Sequence, residues 1–278
     1  MDSKSEHTPI YSIDDYKNIF LLNKKTAIVT GAVGHLGSEI SKALASHGAN
    51  VILIGRTEKS LKAFVEKNND TFDNRFKYYV CDVTNDIEFK KIVEDVHSKF
   101  GTIDILVNCA FNEERKEFLD ITKDEWNNGM NNIVTHVVTC CQAVIPKMIS
   151  NGSGSIINIS SINGFLGIDQ RRHTEVKAST VYYSTGKGAL LNLTKRLATE
   201  YASKGIRVNS ISPGFFPKPP KDGSPGRPGY IIDLSHDIPM KRVGKSFEIS
   251  GVSIFLASEA SSYVNGQNII VDGGFSSW

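Results

Sequence analysis

The sequence predicts an α/β protein built on one doubly wound parallel sheet with helices on both faces. Two observations carry this prediction. Seven short apolar runs alternate with longer amphipathic stretches, and the first run ends in a glycine-rich turn that leads into a helix. Strands separated by helices pair in parallel, because the helical crossover returns each strand to the same direction. The 278 residues show no break in composition, so a single domain is predicted.

The strands are predicted where short apolar runs end in glycine or another turn signal, as expected of strands that are buried on both faces. The first run is KTAIVTG and the last is NIIVDGG. In chain order, the predicted strands span residues 25–31, 51–55, 76–83, 103–110, 154–161, 206–214 and 268–274.

The helices are predicted where apolar residues recur at helical spacing. In the first helix Ile40, Ala43 and Leu44 share one face, and Gly48 marks the C-terminal end. The predicted helices span residues 38–49, 60–68, 87–101, 123–149, 183–203 and 247–258.

An arm and two loops fall outside this alternation. Residues 1–22 are predicted to be an N-terminal arm on a domain of residues 23–278. The loops cover residues 162–181 and 215–240. Loops at the carboxyl edge of such a sheet line the ligand crevice. The alternation and the glycine-rich turn together indicate a Rossmann-type fold.

Composition and charge argue against several classes of function. The hydrophobic fraction is 40%, the charged fraction 22% and the net charge +2, so nothing calls for a nucleic-acid or membrane partner. The four cysteines, Cys81, Cys109, Cys140 and Cys141, lack zinc spacing, so we predict no metal site and reduced, buried thiols. The first twenty residues do not resemble a signal peptide, and we find no uninterrupted apolar run of about 18 residues. We therefore expect a cytoplasmic protein that acts on a small molecule.

The glycine-rich turn TGAVGHLG predicts a dinucleotide site. Gly31, Gly34 and Gly37 stand three apart between the first strand and its helix. Glycine permits a positive φ and lets a pyrophosphate approach the backbone. The helix N-terminus, at His35 and Leu36, offers free N–H groups and a partial positive charge. A tight turn without a ligand is the alternative, but the strand before it and the helix after it favour the dinucleotide site.

The end of the second strand bears on the choice of cofactor. An acidic residue there would bind the ribose 2′-hydroxyl of NAD and repel the 2′-phosphate of NADP. This chain has Gly55 followed by Arg56 instead. NADP(H) is therefore favoured over NAD(H), with a solvated surface role for Arg56 as the alternative.

Five motifs in chain order resemble those of the short-chain dehydrogenase/reductase family. They are the glycine-rich turn, VNCA, the ISS strand end, the YSTGK motif and the SPG turn, and the match covers about residues 22–276. A YxxxK motif alone is frequent by chance, whereas five ordered motifs in the expected structural context are specific. The resemblance implies an NAD(P)-dependent oxidoreductase.

The resemblance also implies the catalytic residues. Tyr183 corresponds to the acid/base, Lys187 to its partner and Ser161 to the hydroxyl that orients the substrate oxygen. A free tyrosine is a poor base near neutral pH, and an adjacent ammonium, aided by a cationic nicotinamide, favours the phenolate. Tyr182 lacks a lysine four residues on and is interpreted as a packing residue.

Further residues that the resemblance assigns to the cofactor lie at three more strand ends. They are Asp82 and Val83, Asn108 and Ala110, and Pro213, Gly214 and Phe216. Tyr183 and Lys187 are assigned to the cofactor as well. Each has an alternative role; Asp82, for instance, suits a helix cap or a turn.

The chain departs from the family pattern in four places. His35 stands where the commonest form has glycine, and Cys109 and Phe111 replace the second Asn and the Gly of NNAG. Lys218 replaces a threonine that often holds the nicotinamide carboxamide.

The fourth departure concerns the family's fourth catalytic residue, an asparagine. An ungapped alignment from Trp126 to Gln142 places Ile133 there, next to Asn132. Asn132 can serve only if the helix shifts, which puts the water relay in doubt.

The two loops indicate a polar substrate. Ser161 and Tyr183 lie 22 residues apart, further than is usual in the family, and the segment between them holds Arg171 and Arg172. These arginines, with Lys218 in the second loop, suit a carboxylate or phosphate. A solvated loop or one that packs on another subunit is the alternative. Polar loops and the VDGGFSSW ending resemble members that act on sugars and sugar acids.

The predicted function is therefore the interconversion of a secondary alcohol and a ketone on a sugar-like or sugar-acid-like substrate. A 3-oxoacyl-thioester reductase shares every core motif and is the enzymatic alternative. A non-catalytic NAD(P)-sensing protein is the alternative from another class, since one fold hosts many functions. The resemblance further implies a homo-oligomer, either a tetramer or a dimer.

Overall fold

A seven-stranded, fully parallel sheet forms the centre of the protein. In the computed structural model, residues 11–112, 116–168, 181–218 and 234–277 are described. The strands are β1 Thr26–Thr30, β2 Asn50–Gly55, β3 Phe76–Val80, β4 Ile105–Asn108, β5 Gly154–Ile159, β6 Ile206–Pro213 and β7 Asn268–Val271. They lie side by side in the order β3-β2-β1-β4-β5-β6-β7. The predicted doubly wound parallel sheet is confirmed.

The strand order reverses between β1 and β4. These two strands pair in parallel with Thr30 opposite Asn108. The chain leaves β1 toward β2 on one side and leaves β4 toward β5 on the other. The connections therefore separate at this point and open a crevice at the carboxyl ends of the strands.

Helices cover both faces of the sheet. They are α1 Ile13–Asn18, α2 His35–Ser46, α3 Glu58–Asn68, α4 Asp86–Phe100, α5 Lys123–Met130, α6 His136–Asn151, α7 Val181–Tyr201 and α8 Ser250–Ala257. One core contains buried residues of α4, α6 and α7, and the other contains residues of α2, α3 and α8. The sheet is thus buried on both sides, which explains why its strands are continuous apolar runs.

The predicted strands extend past the observed ones at their carboxyl ends. β3 ends at Val80 instead of residue 83, and β4 ends at Asn108 instead of residue 110. Beyond these points the chain turns out of the sheet toward the crevice. Apolar composition alone does not reveal this change of direction.

The helix predicted at residues 123–149 is not a continuous α-helix. A π-helical turn, Asn131–Thr135, separates α5 from α6. The whole segment Lys123–Asn151 is long and apolar enough to cross a membrane by length and hydropathy. Its apolar residues, among them Val137, Val144 and Met148, lie in the core. Packing in the core accounts for the hydropathy of this helix.

The described residues before β1 contact the rest of the chain at Ile19, whose carbonyl accepts from the N–H of Ala260 at 3.2 Å, and at Leu22. Helix α1 begins with a capping box of Ser12 and Asp15, and none of its residues is buried. Leu22 is buried in the core, and its N–H donates to the carbonyl of His47 at 2.7 Å.

Candidate active site

A cleft of about 550 Å³ opens at the carboxyl edge of the sheet, at the reversal between β1 and β4. Its walls come from the segments that follow β1, β2, β3, β4, β5 and β6. Most residues that the sequence assigned to cofactor or catalysis line this one cleft, although they are spread over almost the whole chain. They are Gly31, Gly34, His35, Leu36, Gly37, Arg56, Asp82, Val83, Ala110, Ser161, Tyr183, Lys187, Pro213, Gly214, Phe216 and Lys218.

The glycine-rich turn is built for close approach. Gly31 has φ +62°, and a Cβ there would lie 2.8 Å from the Cα of Ala110. A Cβ on Gly37 would overlap the carbonyl oxygen of Gly31, so this glycine allows α2 to begin directly against the turn. The turn therefore exposes the first N–H groups of α2 to the cleft, a geometry that suits a pyrophosphate.

Thr30 fixes the turn to the end of β4. Its hydroxyl oxygen accepts from the N–H groups of Cys109 and Ala110 at 3.1 and 3.2 Å. Thr30 is fully buried, so these hydrogen bonds are shielded from water. They hold the 109–112 segment along the cleft wall.

Asn108 does not line the cleft, in contrast to the expected place beside the cofactor. Its side chain is buried and its Nδ2 donates to Oδ1 of Asn158 at 2.9 Å. Asn158 in turn donates to Thr194 at 2.9 Å. Asn108 therefore connects β4 to β5 and α7 from behind the wall. Asn108 is the last residue of β4, whereas Ala110 lies beyond the end of the strand, where the chain has turned toward the cleft.

The far end of the cleft carries Arg56 and Asp82. Arg56 Nη1 lies 4.0 Å from Asp82 Oδ2, and both side chains are about half exposed. Asp82 Oδ1 accepts from the N–H and hydroxyl of Thr84 at 3.0 and 2.8 Å. Partial burial raises the pKa of Asp82, but the Thr84 hydrogen bonds and Arg56 outweigh it and hold that pKa below its usual value. Asp82 is thus both a turn residue and part of the cleft wall.

Ser161 and Lys187 meet Tyr183 at the other end. Ser161 follows β5, is buried, and its Oγ accepts from the N–H of Asn163 at 3.1 Å. Lys187 is buried, and its Nζ donates to the carbonyl of Ile159 at 2.7 Å. The Nζ lies 5.6 Å from the centre of the Tyr183 ring. A hydroxyl, a phenol and an ammonium therefore share one wall of the cleft.

The loop after β5 packs tightly on α7 and fixes this arrangement. Ser160 Oγ donates to the carbonyl of Lys187 at 2.8 Å. A Cβ on Gly164 would lie 2.8 Å from the carbonyl carbon of Lys187, so only glycine fits this contact. Tyr182 is buried beside Gly129, which confirms its predicted packing role.

The π-helical turn places Asn132 in the cleft. Ile133, which aligns with the family's asparagine, is buried, and its side chain packs where a Cβ on Gly186 would go. A π-helical turn holds one more residue than an α-helical turn and shifts the positions around the helix. Asn132 therefore reaches the wall that an α-helix would have given to residue 133.

His136 is a cleft residue that the sequence did not reveal. It is almost fully buried, with Nδ1 3.2 Å from the carbonyl of Asn131 and Nε2 3.1 Å from that of Ala110. A neutral imidazole has a single N–H, so it donates to one of these two carbonyls. Burial lowers the pKa of His136 to about 4, although the two carbonyls oppose this shift. The sequence signal for this residue is its position: His136 is a polar side chain at the start of the apolar stretch HVVTCC.

Lys218 brings positive charge to the start of α2, where it lies close to His35. Burial lowers the pKa of His35, and the nearby Lys218 charge lowers it further, against the Phe216 carbonyl and Glu39. His35 Nε2 is buried and has no hydrogen-bond partner among the described residues. Phe216 lies against Gly244, where a Cβ would come 2.5 Å from its ring. Lys218 lines the cleft close enough to the start of α2 for its charge to act on His35.

Arg171 and Arg172, assigned to the substrate, lie outside the described residues. The same holds for the central parts of both loops, residues 169–180 and 219–233. Within the described part of the chain, no cluster of three or more His, Cys, Asp or Glu side chains suits a metal ion.

The residues present fit a dinucleotide. The Gly31 cradle, the α2 N-terminus and Arg56 are the groups for its phosphates, and Lys187 and Tyr183 lie at the opposite end of the cleft. A bound nicotinamide would there lie next to Ser161, Tyr183 and Pro213.

Comparisons with known proteins agree with this geometry. A family model described as enoyl-(acyl carrier protein) reductase matches residues 20–276. The 3-oxoacyl-[acyl-carrier-protein] reductase of Thermotoga maritima is 34% identical over 253 residues, which cover 91% of this chain and 98% of that protein. The gluconate 5-dehydrogenase of Gluconobacter oxydans is 32% identical over 259 residues, which cover 93% and 97%.

A solved structure matches over nearly the same range. The crystal structure of a gluconate 5-dehydrogenase from Burkholderia cenocepacia J2315, in complex with NADP and tartrate, has a TM-score of 0.83 at 30% identity. The match covers 94% of this chain and 98% of that one.

Proposed function

The chain belongs to the short-chain dehydrogenase/reductase family and is an NAD(P)-dependent oxidoreductase, and from this premise we propose that it interconverts a secondary alcohol and a ketone on a polar, sugar-like or sugar-acid-like substrate. The observation that carries the proposal is the meeting of Ser161, Tyr183 and Lys187 beside the glycine-rich turn in one cleft. The family membership argues against a non-catalytic sensing protein.

The chemistry follows from the positions of three side chains. The nicotinamide supplies or accepts the hydride. Ser161 donates a hydrogen bond to the substrate oxygen and orients it toward Tyr183. The Tyr183 hydroxyl gives its proton to that oxygen in reduction and takes it back in oxidation.

Lys187 stabilises the phenolate form of Tyr183 by its charge. Its ammonium is buried and held by the Ile159 carbonyl, so its charge is screened less by water than that of an exposed lysine. Tyr183 and Lys187 are one helical turn apart on α7, which keeps their relative position constant.

We favour NADP(H) as the cofactor. Arg56 stands where an acid would select NAD, and an exposed ion pair with Asp82 at 4.0 Å is weak enough to yield to a phosphate. The NADP-bound Burkholderia structure supports this preference.

The substrate class is supported by the gluconate 5-dehydrogenases among the similar proteins and by Lys218 at the cleft. Reduction of a 3-oxoacyl thioester is the second candidate, because two 3-oxoacyl-[acyl-carrier-protein] reductases are 33% and 34% identical to this chain, slightly more than the gluconate 5-dehydrogenase of Gluconobacter oxydans at 32%. The cytoplasm is our proposed location, and the four free cysteines are consistent with a reducing compartment.

A substrate panel tests the proposal. We would first titrate the purified protein with NADPH and with NADH, and then add keto-sugars, keto-sugar acids and a 3-oxoacyl thioester. Oxidation of NADPH with a keto-sugar or keto-sugar acid is expected. Turnover of the thioester alone would establish the second candidate, and tight NADPH binding without oxidation of any member would contradict both.

A further inference from the structure

Phe111 is an exposed aromatic side chain inside the cleft. It replaces a glycine of the family pattern, directly after Ala110. The side chain is 46% exposed and lines the cleft. It belongs to neither of the two hydrophobic cores of the described residues. A phenyl ring in this position contributes little to the stability of the fold, and it exposes apolar surface that a ligand can contact.

The Phe111 ring lies against the catalytic pair. Its centre is 5.7 Å from that of the Tyr183 ring, with the two planes tilted by 49°. The Nζ of Lys187 lies 5.0 Å from the centre of the Phe111 ring, within the range of a cation–π contact. Since Lys187 also donates to Ile159, its ammonium is enclosed between a carbonyl and two rings. Phe111 thus forms a fixed wall beside the oxygen that Tyr183 protonates.

The position of this wall places it near the reacting carbon. Arg56 follows β2 and Ser161 follows β5, so the two lie on opposite sides of the β1–β4 reversal. Phe111 lines the same cleft as Ser161 and its ring lies beside that of Tyr183, where the reacting carbon must sit for proton transfer. A flat apolar surface there contacts the ring or chain that carries this carbon.

We propose that Phe111 is a specificity-determining residue that stacks on the face of a ring-shaped, hydroxylated substrate. The inference rests on the proposed function and narrows its substrate to cyclic polyols and pyranosides that react at a ring carbon. The face of an aromatic ring is electron-rich, and the C–H groups of a polyol ring are polarised by their oxygens, so the two faces attract. A flexible acyl chain or open-chain acid presents no rigid face and loses more conformational freedom on binding.

The experiment compares two phenylalanines. Phe111→Ala removes the wall, Phe111→Trp enlarges it, and Phe118→Ala is the matched control, since Phe118 is 59% exposed and does not line the cleft. Oxidation by NADP+ is followed with myo-inositol, methyl glucoside, gluconate and a 3-hydroxyacyl thioester. NADPH affinity and melting temperature are measured for every variant.

For Phe111→Ala we expect kcat/KM on the ring substrates to fall about 10-fold or more, mostly through KM, as one aromatic contact predicts. The kcat/KM values for gluconate and the thioester should fall much less, so that the ratio of ring to open-chain kcat/KM drops, and the measured Kd for NADPH separates any change in cofactor binding from this ratio. Phe111→Trp and Phe118→Ala should keep the ring preference of the wild type.

Two results would overturn the inference alone: an equal fall for ring and open-chain substrates, or a weakened NADPH affinity that accounts for the whole effect. Wild-type turnover confined to gluconate would also refute it and leave the proposed function intact. Binding of NADPH without turnover of any substrate would contradict the proposed function and this inference together.

Discussion

His136 is a buried imidazole whose protonation is expected to destabilise the protein in mild acid. Its pKa is about 4 in the folded protein because of burial, against about 6.5 in an unfolded chain. Between these values the unfolded chain binds more protons, so the free energy of unfolding falls as the pH falls. The two pKa values correspond to roughly 2 kcal/mol lost between pH 7 and pH 4.5. His35, whose pKa is also lowered, contributes in the same direction.

Chemical denaturation of wild type and His136→Gln at pH 7 and pH 4.5 measures this contribution. Glutamine keeps a donor for one carbonyl and does not titrate in this range. The free energy of unfolding of the variant should therefore fall less between the two pH values. All other titrating groups are the same in the two proteins, so their contributions cancel in the comparison. An equal loss in the two proteins would show that His136 does not limit acid stability.

Arg56 is expected to set the preference for NADPH. Arg56→Ala should weaken NADPH binding about 10-fold, since a charge-assisted hydrogen bond to the 2′-phosphate is lost. NADH affinity should change little. Lys62→Ala on α3 is the control, because Lys62 is comparably exposed and lies outside the cleft. An unchanged NADPH-to-NADH ratio in Arg56→Ala would assign Arg56 to the solvated surface.

Single residues were predictable where a motif prescribes a geometry. Gly31, Ser161 and Lys187 lie in the cleft as the motifs imply. Asn108 belongs to a motif too, but which face of a strand end a side chain takes depends on the register of that strand. His136 has no motif, and its carbonyl partners come from residues 110 and 131.

At the scale of elements, the π-helical turn is expected to supply the missing asparagine. We expect Asn132→Ala to lower kcat about 10-fold, because proton exchange between Lys187 and solvent loses a polar group in the cleft wall. The Kd for NADPH should stay unchanged. Asn131→Ala is the matched control, since it keeps the backbone carbonyl near His136 and its side chain does not line the cleft. Equal kcat values for both variants and the wild type would exclude Asn132 from the relay.

Apolar periodicity predicts that helices and strands exist, and it fails at their ends. The helix at residues 123–149 has the composition of one continuous α-helix, because a single π-helical turn displaces its apolar positions only slightly. The strand ends after Val80 and Asn108 were overestimated for a related reason. Apolar residues continue past both ends, with Cys81 and Val83 after β3 and Cys109 and Ala110 after β4, although they line the cleft outside the sheet.

At the scale of the whole molecule, we expect a homotetramer or a dimer. Light scattering after size exclusion should give two or four times the 30.6 kDa chain mass. The exposed apolar side chains of the described surface include Phe247, Tyr263 and Ile270, and burial between subunits would stabilise them. A mass of one chain at micromolar concentration would contradict this expectation.

The overall architecture was predictable because alternating strands and helices admit few topologies. The side of the cleft that recognises the substrate was harder to predict from the sequence. Arg171, Arg172 and most of the second loop lie outside the described residues, and loop sequences carry no periodic signal. The loops gave only charge and polarity, and Phe111 gave no signal beyond the loss of a glycine.

The central claim is that Tyr183 transfers the proton in an NAD(P)-dependent redox reaction. The most direct test compares Tyr183→Phe with Tyr182→Phe, which removes the same hydroxyl from the adjacent, buried tyrosine. With a substrate that the wild type turns over, kcat of Tyr183→Phe should fall about 10³-fold while NADPH binding is kept, and Tyr182→Phe should remain active. Full turnover in Tyr183→Phe would contradict the account.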